Sequence, residues 1–245
     1  MPIISFINDN KEQTGKTMSL VAIATYMAVN YNNRILIIST TNREDKIKTC
    51  FFEERKAKKL KLGIFGENKV SLENESGIEG ISKISRSNKL TPETITNYTR
   101  VFFKDRLEIL LGVEKTEKIN YKEIVGEYAE VINLAKSYYD MVFVDLDDDV
   151  GENIKQEIMD SSDLVIVNSS QNYTSLKKIK EKKDNGEILN TINTLLLVGR
   201  YDKYSKYNYK KPDQYNNLPF LYGCVVAWQQ MHTLFQAPLK ISVNW

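Results

Sequence analysis

Asn10-Lys11-Glu12-Gln13-Thr14-Gly15-Lys16-Thr17-Met18 is the stretch of this chain whose residue types could do chemistry on an anion. A loop that binds phosphate presents backbone N–H groups at the start of a helix, where the dipole favours negative charge. It also needs a lysine that reaches the β- and γ-phosphates and a hydroxyl that ligates Mg²⁺. Gly15-Lys16-Thr17 supplies the last two in the required order. The general pattern G-x-x-x-x-G-K-[ST] has glycine where this chain has Asn10. Asparagine tolerates a left-handed backbone best after glycine, so that exchange is survivable. Glu12 is less expected, since a carboxylate beside a triphosphate is repelled unless it points outward.

The flanking elements are the ones such a loop requires. Ile3–Ile7 is a β-branched run that breaks at Asn8-Asp9-Asn10. Thr17–Tyr31 then has Leu20, Ile23, Ala24, Met27 and Ala28 at helical spacing, and Arg34–Ile38 is a continuous apolar run suited to a strand covered on both faces. Strand, loop, helix and strand make a βαβ unit, which predicts an α/β fold: doubly wound, with a mostly parallel central sheet and helices on both faces. Further on, Glu44–Lys61 reads as a polar helix, Gly63–Gly80 as turn-rich, and Ile78–Asn88 and Pro92–Asp105 as helices. Leu107–Leu111, Met141–Leu146, Leu164–Asn168 and Thr194–Val198 read as strands. Tyr121–Tyr139, Asn153–Met159 and Thr174–Lys183 read as helices between them. The even spacing predicts a single nucleotide-binding domain over 1–245.

Composition narrows the function. The 245 residues are 42% hydrophobic, enough for an ample core, and the net charge of 34 − 32 = +2 gives no global pull toward DNA or an anionic membrane. Cys50 and Cys224 are too few for a disulfide framework or a zinc site, and His232 is alone, so no His-based catalytic set can be built. No apolar stretch approaches the roughly 18 residues of a membrane span, and the start of the chain lacks signal-peptide character, so a cytoplasmic location is expected. Lys177, Lys178, Lys180, Lys182 and Lys183 form the basic cluster; a solvated helix face is the first reading, diluted as it is by Glu181, Asp184 and Glu187, and sequence-specific nucleic-acid binding is not expected. From Asn216 to Leu239 there is no Asp, Glu, Lys or Arg, which sets 216–245 apart in composition. Three readings of that segment stand open: a final core strand at Pro219–Val226 followed by a packed helix, a surface that contacts a partner or membrane, or an altered or truncated native C-terminus.

Asn10–Thr17 resembles the deviant Walker A loop, K-G-G-x-G-K-[ST], of the ParA/MinD family of ATPases, with Lys11 at the family's signature lysine. "YYDMVFVDLDD" (Tyr138–Asp148) resembles the family's core strand, and "SDLVIVNSS" (Ser162–Ser170) the strand after it. "LLLVGRYDKYSKYN" (Leu195–Asn208) resembles the segment that carries adenine contacts, here Arg200, Tyr201 and Asp202. The resemblance spans roughly 1–210 and implies binding of ATP with Mg²⁺. Asn10 to Met18 would hold the nucleotide, Lys16 the phosphates, Thr17 the Mg²⁺, and Asp145 the metal's water shell. It gives Lys11, Lys16 and Asp145 the catalytic roles, with Lys11 reaching the phosphates of the opposite subunit of an ATP-bound homodimer. It further implies an as yet unidentified protein partner and a role in positioning or assembling a larger machine, pilus-assembly proteins of the CpaE type being one analogue.

The departures concern hydrolysis. Family members end the second strand with D-x-D, and here Ser39 and Thr41 stand in those places. The proline-glycine after the core-strand aspartate is replaced by Asp147-Asp148-Asp149. Either Asp149 caps the helix that follows Gly151, or Asp147 or Asp148 joins a Mg²⁺ shell and replaces the missing carboxylates. A nucleotide-sensing scaffold without useful hydrolysis, and a P-loop kinase acting on a small substrate, are the alternatives to a weak or partner-dependent ATPase.

Overall fold

The computed structural model describes residues 1–9, 14–42, 46–52, 77–85, 90–113, 121–185, 193–199, 202, 204–205 and 220–222. Among the described residues eight strands are formed: β1 (Ile3–Asn8), β2 (Ile35–Ser39), β3 (Arg100–Phe103), β4 (Leu107–Leu110), β5 (Met141–Asp145), β6 (Leu164–Ser170), β7 (Thr194–Gly199) and β8 (Phe220–Tyr222). The helices are α1 (Lys16–Asn30), α2 (Lys46–Phe51), α3 (Ile78–Ser85), α4 (Pro92–Ile95), α5 (Tyr121–Ile124), α6 (Glu127–Ala135), α7 (Glu152–Ser161) and α8 (Tyr173–Asp184). The strand order is β3-β4-β2-β5-β1-β6-β7-β8, a mostly parallel sheet. Contacts divide the chain into two compact units, one of Met1–Ser5 with Ala24–Ser162 and one of Phe6–Ile23 with Asp163–Trp245.

In the first unit β2 pairs in parallel with β4 and with β5, and every residue of β2 and β5 is buried. The apolar runs Ile35–Ile38 and Met141–Val144 are therefore covered on both faces, each large side chain contributing about 2 kcal/mol by leaving water. In the second unit β6 pairs in parallel with β7, and β7 with β8. Leu20, Ile23, Ala24, Met27 and Ala28 of α1 are buried, as their spacing predicts.

Two expected helices differ. Pro92–Asp105 gives only the single turn α4, capped reciprocally by Thr91 and Thr94: the Thr94 N–H donates to Thr91 Oγ1 and the Thr91 N–H to Thr94 Oγ1. Beyond it, Arg100-Val101-Phe102-Phe103 is β-branched and aromatic and forms β3, antiparallel to β4. Asp105 turns the chain between them at a φ of +58°, a left-handed conformation that Asp tolerates better than most residues. Tyr121–Tyr139 is likewise two helices, α5 and α6, separated at Val125-Gly126, where glycine weakens a continuous helix. Apart from Phe52 and Gly77, the remainder of Glu44–Lys61, Gly63–Gly80, Ile78–Asn88 and Pro219–Val226 beyond α2, α3 and β8, together with His232 and Cys224, lies outside the described residues.

At the start of the first unit's strands a carboxylate is buried on purpose. Glu108 of β4 accepts from Arg34 Nη2 at 2.8 Å, Tyr139 OH at 2.6 Å and Thr99 Oγ1 at 2.7 Å. Arg34 lies over the Tyr138 ring at 4.0 Å, and its N–H donates to Asp140 Oδ2 at 2.7 Å. Burial alone would push the Glu108 carboxyl up, but hydrogen bonds from Tyr139, Arg34 and Thr99 outweigh it and hold the group below the usual carboxylate range. Burial and the Glu108 carboxylate raise the Tyr139 phenol, so it stays a donor. A depressed carboxyl adds stability that is fully present above its ordinary pKa and is lost as pH falls through the lowered one. Glu108→Gln is expected to cost about 2 kcal/mol at neutral pH in urea unfolding. The gap to wild type should narrow as the pH is stepped down below the ordinary carboxylate range; a gap that stays constant would show that the charge is not what matters.

Candidate functional site

Gly15 follows the described end of β1 by a few residues and has a φ of +84°, which glycine adopts without strain. No described residue comes within 4 Å of where its side chain would stand. The Gly15 carbonyl accepts the Ser19 N–H at 2.9 Å, starting the hydrogen bonds of α1. Lys16 is its first residue and is buried, Thr17 is half-buried, and Met18 is exposed. Thr14, Gly15, Lys16, Thr17 and Met18 thus stand together at a helix N-terminus, where backbone N–H groups lack intrahelical partners. Asn10, Lys11, Glu12, Gln13, Arg200 and Tyr201 lie outside the described residues.

The same unit fastens this turn from below. Thr14 Oγ1 donates to Asn8 Oδ1 at 2.6 Å. Its carbonyl rests against Gly199, in the place a β-carbon there would need, so β7 must end in glycine. Asp9, buried at the end of β1, donates its N–H to the Asn168 carbonyl at 3.0 Å and accepts from Ser169 Oγ at 2.7 Å. Lys182 Nζ of α8 donates to the Asp9 carbonyl at 2.9 Å. Lys182 is therefore no part of a merely solvated face, as the basic cluster suggested. Lys177 fits that reading: it is exposed and reaches the equally exposed Glu181 at 3.7 Å, a pair of little energetic weight. Asp202 is held through its backbone, its N–H donating to Gln171 Oε1 at 2.6 Å and its carbonyl accepting from Gln171 Nε2 at 2.9 Å. Asn8, Asp9, Ser169 and Gln171 were given no role from sequence, and Lys182 was read only as part of the basic cluster. The available signal was position, since polar residues that end apolar parallel strands lie where such sheets bind ligands.

In the first unit, Asp145 is the last residue of β5 and is buried, with Ser39 of β2 as its register partner. Thr40 ties the two strand ends together. Its N–H and Oγ1 donate to the Asp145 carbonyl at 3.2 and 3.1 Å, and its Oγ1 accepts the Asp147 N–H at 2.8 Å. Tyr121 OH donates to the Thr40 carbonyl at 2.7 Å. Burial, then the charges of Asp147 and Asp149, push the Tyr121 phenol up, which keeps it a donor. The Thr41 carbonyl accepts the Val113 N–H at 2.9 Å.

The acidic run resolves differently from the expectation that Asp149 caps a helix. Asp147 is the cap, accepting the Asp149 N–H at 3.2 Å at the head of a 3₁₀ turn over Asp148–Val150. Gly151, at a φ of +84°, precedes α7 and offers no side chain to cap it. Asp148 pairs with Lys155 at 2.6 Å. Among the described residues, no group of three or more His, Cys, Asp or Glu is placed to hold a metal ion.

No protein-family model matches the chain, and no curated protein matches it by sequence. Solved structures do. A ParA family ATPase from Chlorobium tepidum TLS superposes with a TM-score of 0.64 at 11% identity, over 97% of this chain and 92% of that one. A plasmid partition protein from Borrelia burgdorferi gives 0.61 at 16% identity, over 96% and 97%. The septum site-determining protein MinD from Pyrococcus horikoshii OT3, complexed with Mg-ADP, gives 0.59 at 13% identity, over 91% and 80%. The fold is that of ParA and MinD.

Within a ParA/MinD-like fold, the glycine of β7 has a measurable task. Gly199→Ala would drive a methyl into the Thr14 carbonyl and is expected to lower stability by about 2 kcal/mol, since backbone must shift to admit it. Gly126→Ala, where no described residue lies within 4 Å and the backbone is helical, is the control and should be neutral or slightly stabilising. Thermal unfolding of the two variants beside wild type checks the contrast.

Proposed function

We propose that this protein binds ATP with Mg²⁺ at Asn10–Met18, dimerises in the bound state, and acts as a nucleotide-dependent positioning or assembly factor with weak or partner-dependent hydrolysis. One observation carries the reading: buried Lys16 opens α1 directly after a positive-φ glycine, on a turn braced by Asn8 and Gly199. Backbone N–H groups at a helix start, an ammonium and a hydroxyl such as that of Thr17 are the donor set a triphosphate and its metal require. The residues present therefore fit the group. Lys16 and the loop amides would hold phosphate oxygens, Thr17 would ligate Mg²⁺, and Asp145 would order the metal's water. Mg²⁺ supplies charge neutralisation on the phosphates. Arg200, Tyr201 and Asp202 would contact the base. The likeness to MinD complexed with Mg-ADP supports the choice of ligand.

Weak hydrolysis follows from the residues at the end of β2. Phosphoryl transfer is catalysed by positioning and charge, and a missing carboxylate commonly costs on the order of 3 kcal/mol in the barrier. Ser39 and Thr41 are neutral, and Asp147 and Asp148 are engaged by the turn and by Lys155. That engagement favours a second reading, a nucleotide-sensing scaffold. Phosphate release by the isolated protein, with and without candidate partners, separates the two.

Calorimetry is expected to detect ATP·Mg²⁺ binding to wild type and none to Lys16→Ala, because removal of the ammonium leaves the triphosphate charge under-compensated. Absence of binding to wild type at millimolar nucleotide would overturn the proposal. Light scattering should show an ATP-dependent dimer for wild type, while Lys11→Ala binds nucleotide and stays monomeric.

A further inference from the structure

Asn168 has no exposed surface, and neither its Oδ1 nor its Nδ2 has a hydrogen-bond partner among the described residues. A primary amide carries two donors and two acceptor lone pairs. A dry, unpaired amide is costly, and native interiors rarely keep one without a purpose. Its neighbour Ser169 is satisfied on the opposite face by Asp9.

Register shows what lies above it. The Asp9 N–H bonds the Asn168 carbonyl, and Ser169 Oγ bonds the Asp9 carboxylate, so in the parallel pairing Asp9 stands opposite Ser169 and Asn8 opposite Asn168. On the other side Asn168 pairs with Leu197, and Ser170 with Gly199. Side chains alternate along a strand, which puts Asn8, Asn168, Ser170 and the bare side of Gly199 on one face. Thr14 lies across that face, bonded to Asn8 at one end and with its carbonyl against Gly199 at the other. Asn168 sits between these two points of support, beneath the residue that leads into Gly15-Lys16-Thr17.

We infer that Asn168 is a positioning residue for the phosphate site: its amide takes up hydrogen bonds with the Thr14-Gly15 backbone when that backbone carries a triphosphate. This rests on the nucleotide reading above and adds to it a device internal to the chain. The unpaired amide disfavours the nucleotide-free state, and pairing in the bound state adds to affinity. Ser169 and Asp9, one residue away on the other face, keep the strand end in place in both states.

The test is Asn168→Leu, which keeps the branched shape and removes the polar atoms. Calorimetry with ATP·Mg²⁺ is expected to show affinity weakened about tenfold, while the nucleotide-free protein unfolds at an equal or higher temperature than wild type. Unchanged affinity overturns the inference whichever way the unfolding temperature moves, since an amide satisfied internally, for example by buried water, matters to folding alone. A second measurement needs no variant protein beyond assignment. In ¹⁵N-labelled wild type the Asn168 side-chain amide signal should move downfield as ATP·Mg²⁺ saturates, and a signal that does not move overturns the inference. Failure of wild type to bind nucleotide at all would overturn the nucleotide reading and this inference with it. Equal binding by wild type and Asn168→Leu would remove the inference and leave that reading intact.

Discussion

Strands β2 and β5 have no exposed residue along their length, and that complete burial dictates where polar chemistry can be placed. A strand covered on both faces can carry charge or hydroxyl groups only at its ends. Both ends are used. At the start of β2, Arg34 and Asp140 meet, and Arg34 reaches Glu108 at the start of β4. At the finish, Ser39, Thr40, Asp145 and Asp147 gather. In the first cluster Glu108 is surrounded by its donors. It reads as architecture, a device that sets the register of three strands. In the second cluster the Thr40 hydroxyl is committed to backbone, and the buried carboxylate is that of Asp145.

The other unit solves the same problem with a turn. Apolar β6 and β7 end in Asn168-Ser169-Ser170 and Gly199, and these strand ends form the floor on which Thr14 lies. A floor of this kind needs one position without a side chain, one short polar group that can accept from Thr14, and an anchor for the chain leaving β1. Gly199, Asn8 and the Asp9–Lys182 contact meet those needs in turn. The lysine is the least expected part, for it comes from a helix on which Lys177 and Glu181 are exposed.

Much of this was legible in the residues. The apolar runs of β1, β2, β5, β6 and β7 and the spacing of α1 announced the sheet and its first crossover, because buried parallel strands leave an unmistakable pattern. Gly15-Lys16-Thr17 placed the loop because the motif is contiguous. The hairpin of β3 and β4 was misread because Pro92 begins a helical turn and nothing in the following polar residues marks its early end; only the aromatic and β-branched Val101-Phe102-Phe103 did so. The helix break at Gly126 was hidden by apolar spacing that continues in phase across it. The floor of the loop was invisible for a different reason. Asn8, Asn168 and Gly199 are far apart in the chain, and their relation depends on strand order, which no local pattern carries.

Identities of 11% and 16% across nearly the whole chain show how little of a ParA/MinD-like fold needs particular residues. Burial asks for apolar side chains at strand positions and tolerates many choices among them. The places that do not tolerate choice are those where backbone approaches backbone, as at Gly199 beneath Thr14. Hydrolytic groups fall under neither constraint, so they can be lost while the fold and the binding turn persist. Under the proposed function, the segment after β2 is where such groups would act. Thr40 uses its hydroxyl and its N–H to hold Asp145 and Asp147 in place, and its carbonyl accepts from Tyr121 OH. Neutral hydrogen bonds of this sort order a segment without supplying charge to a transition state. Under the proposed function the consequence is direct: a chain that keeps a built floor for phosphate, and fastens with hydroxyls the segment where a carboxylate would act, is arranged to bind nucleotide more than to consume it.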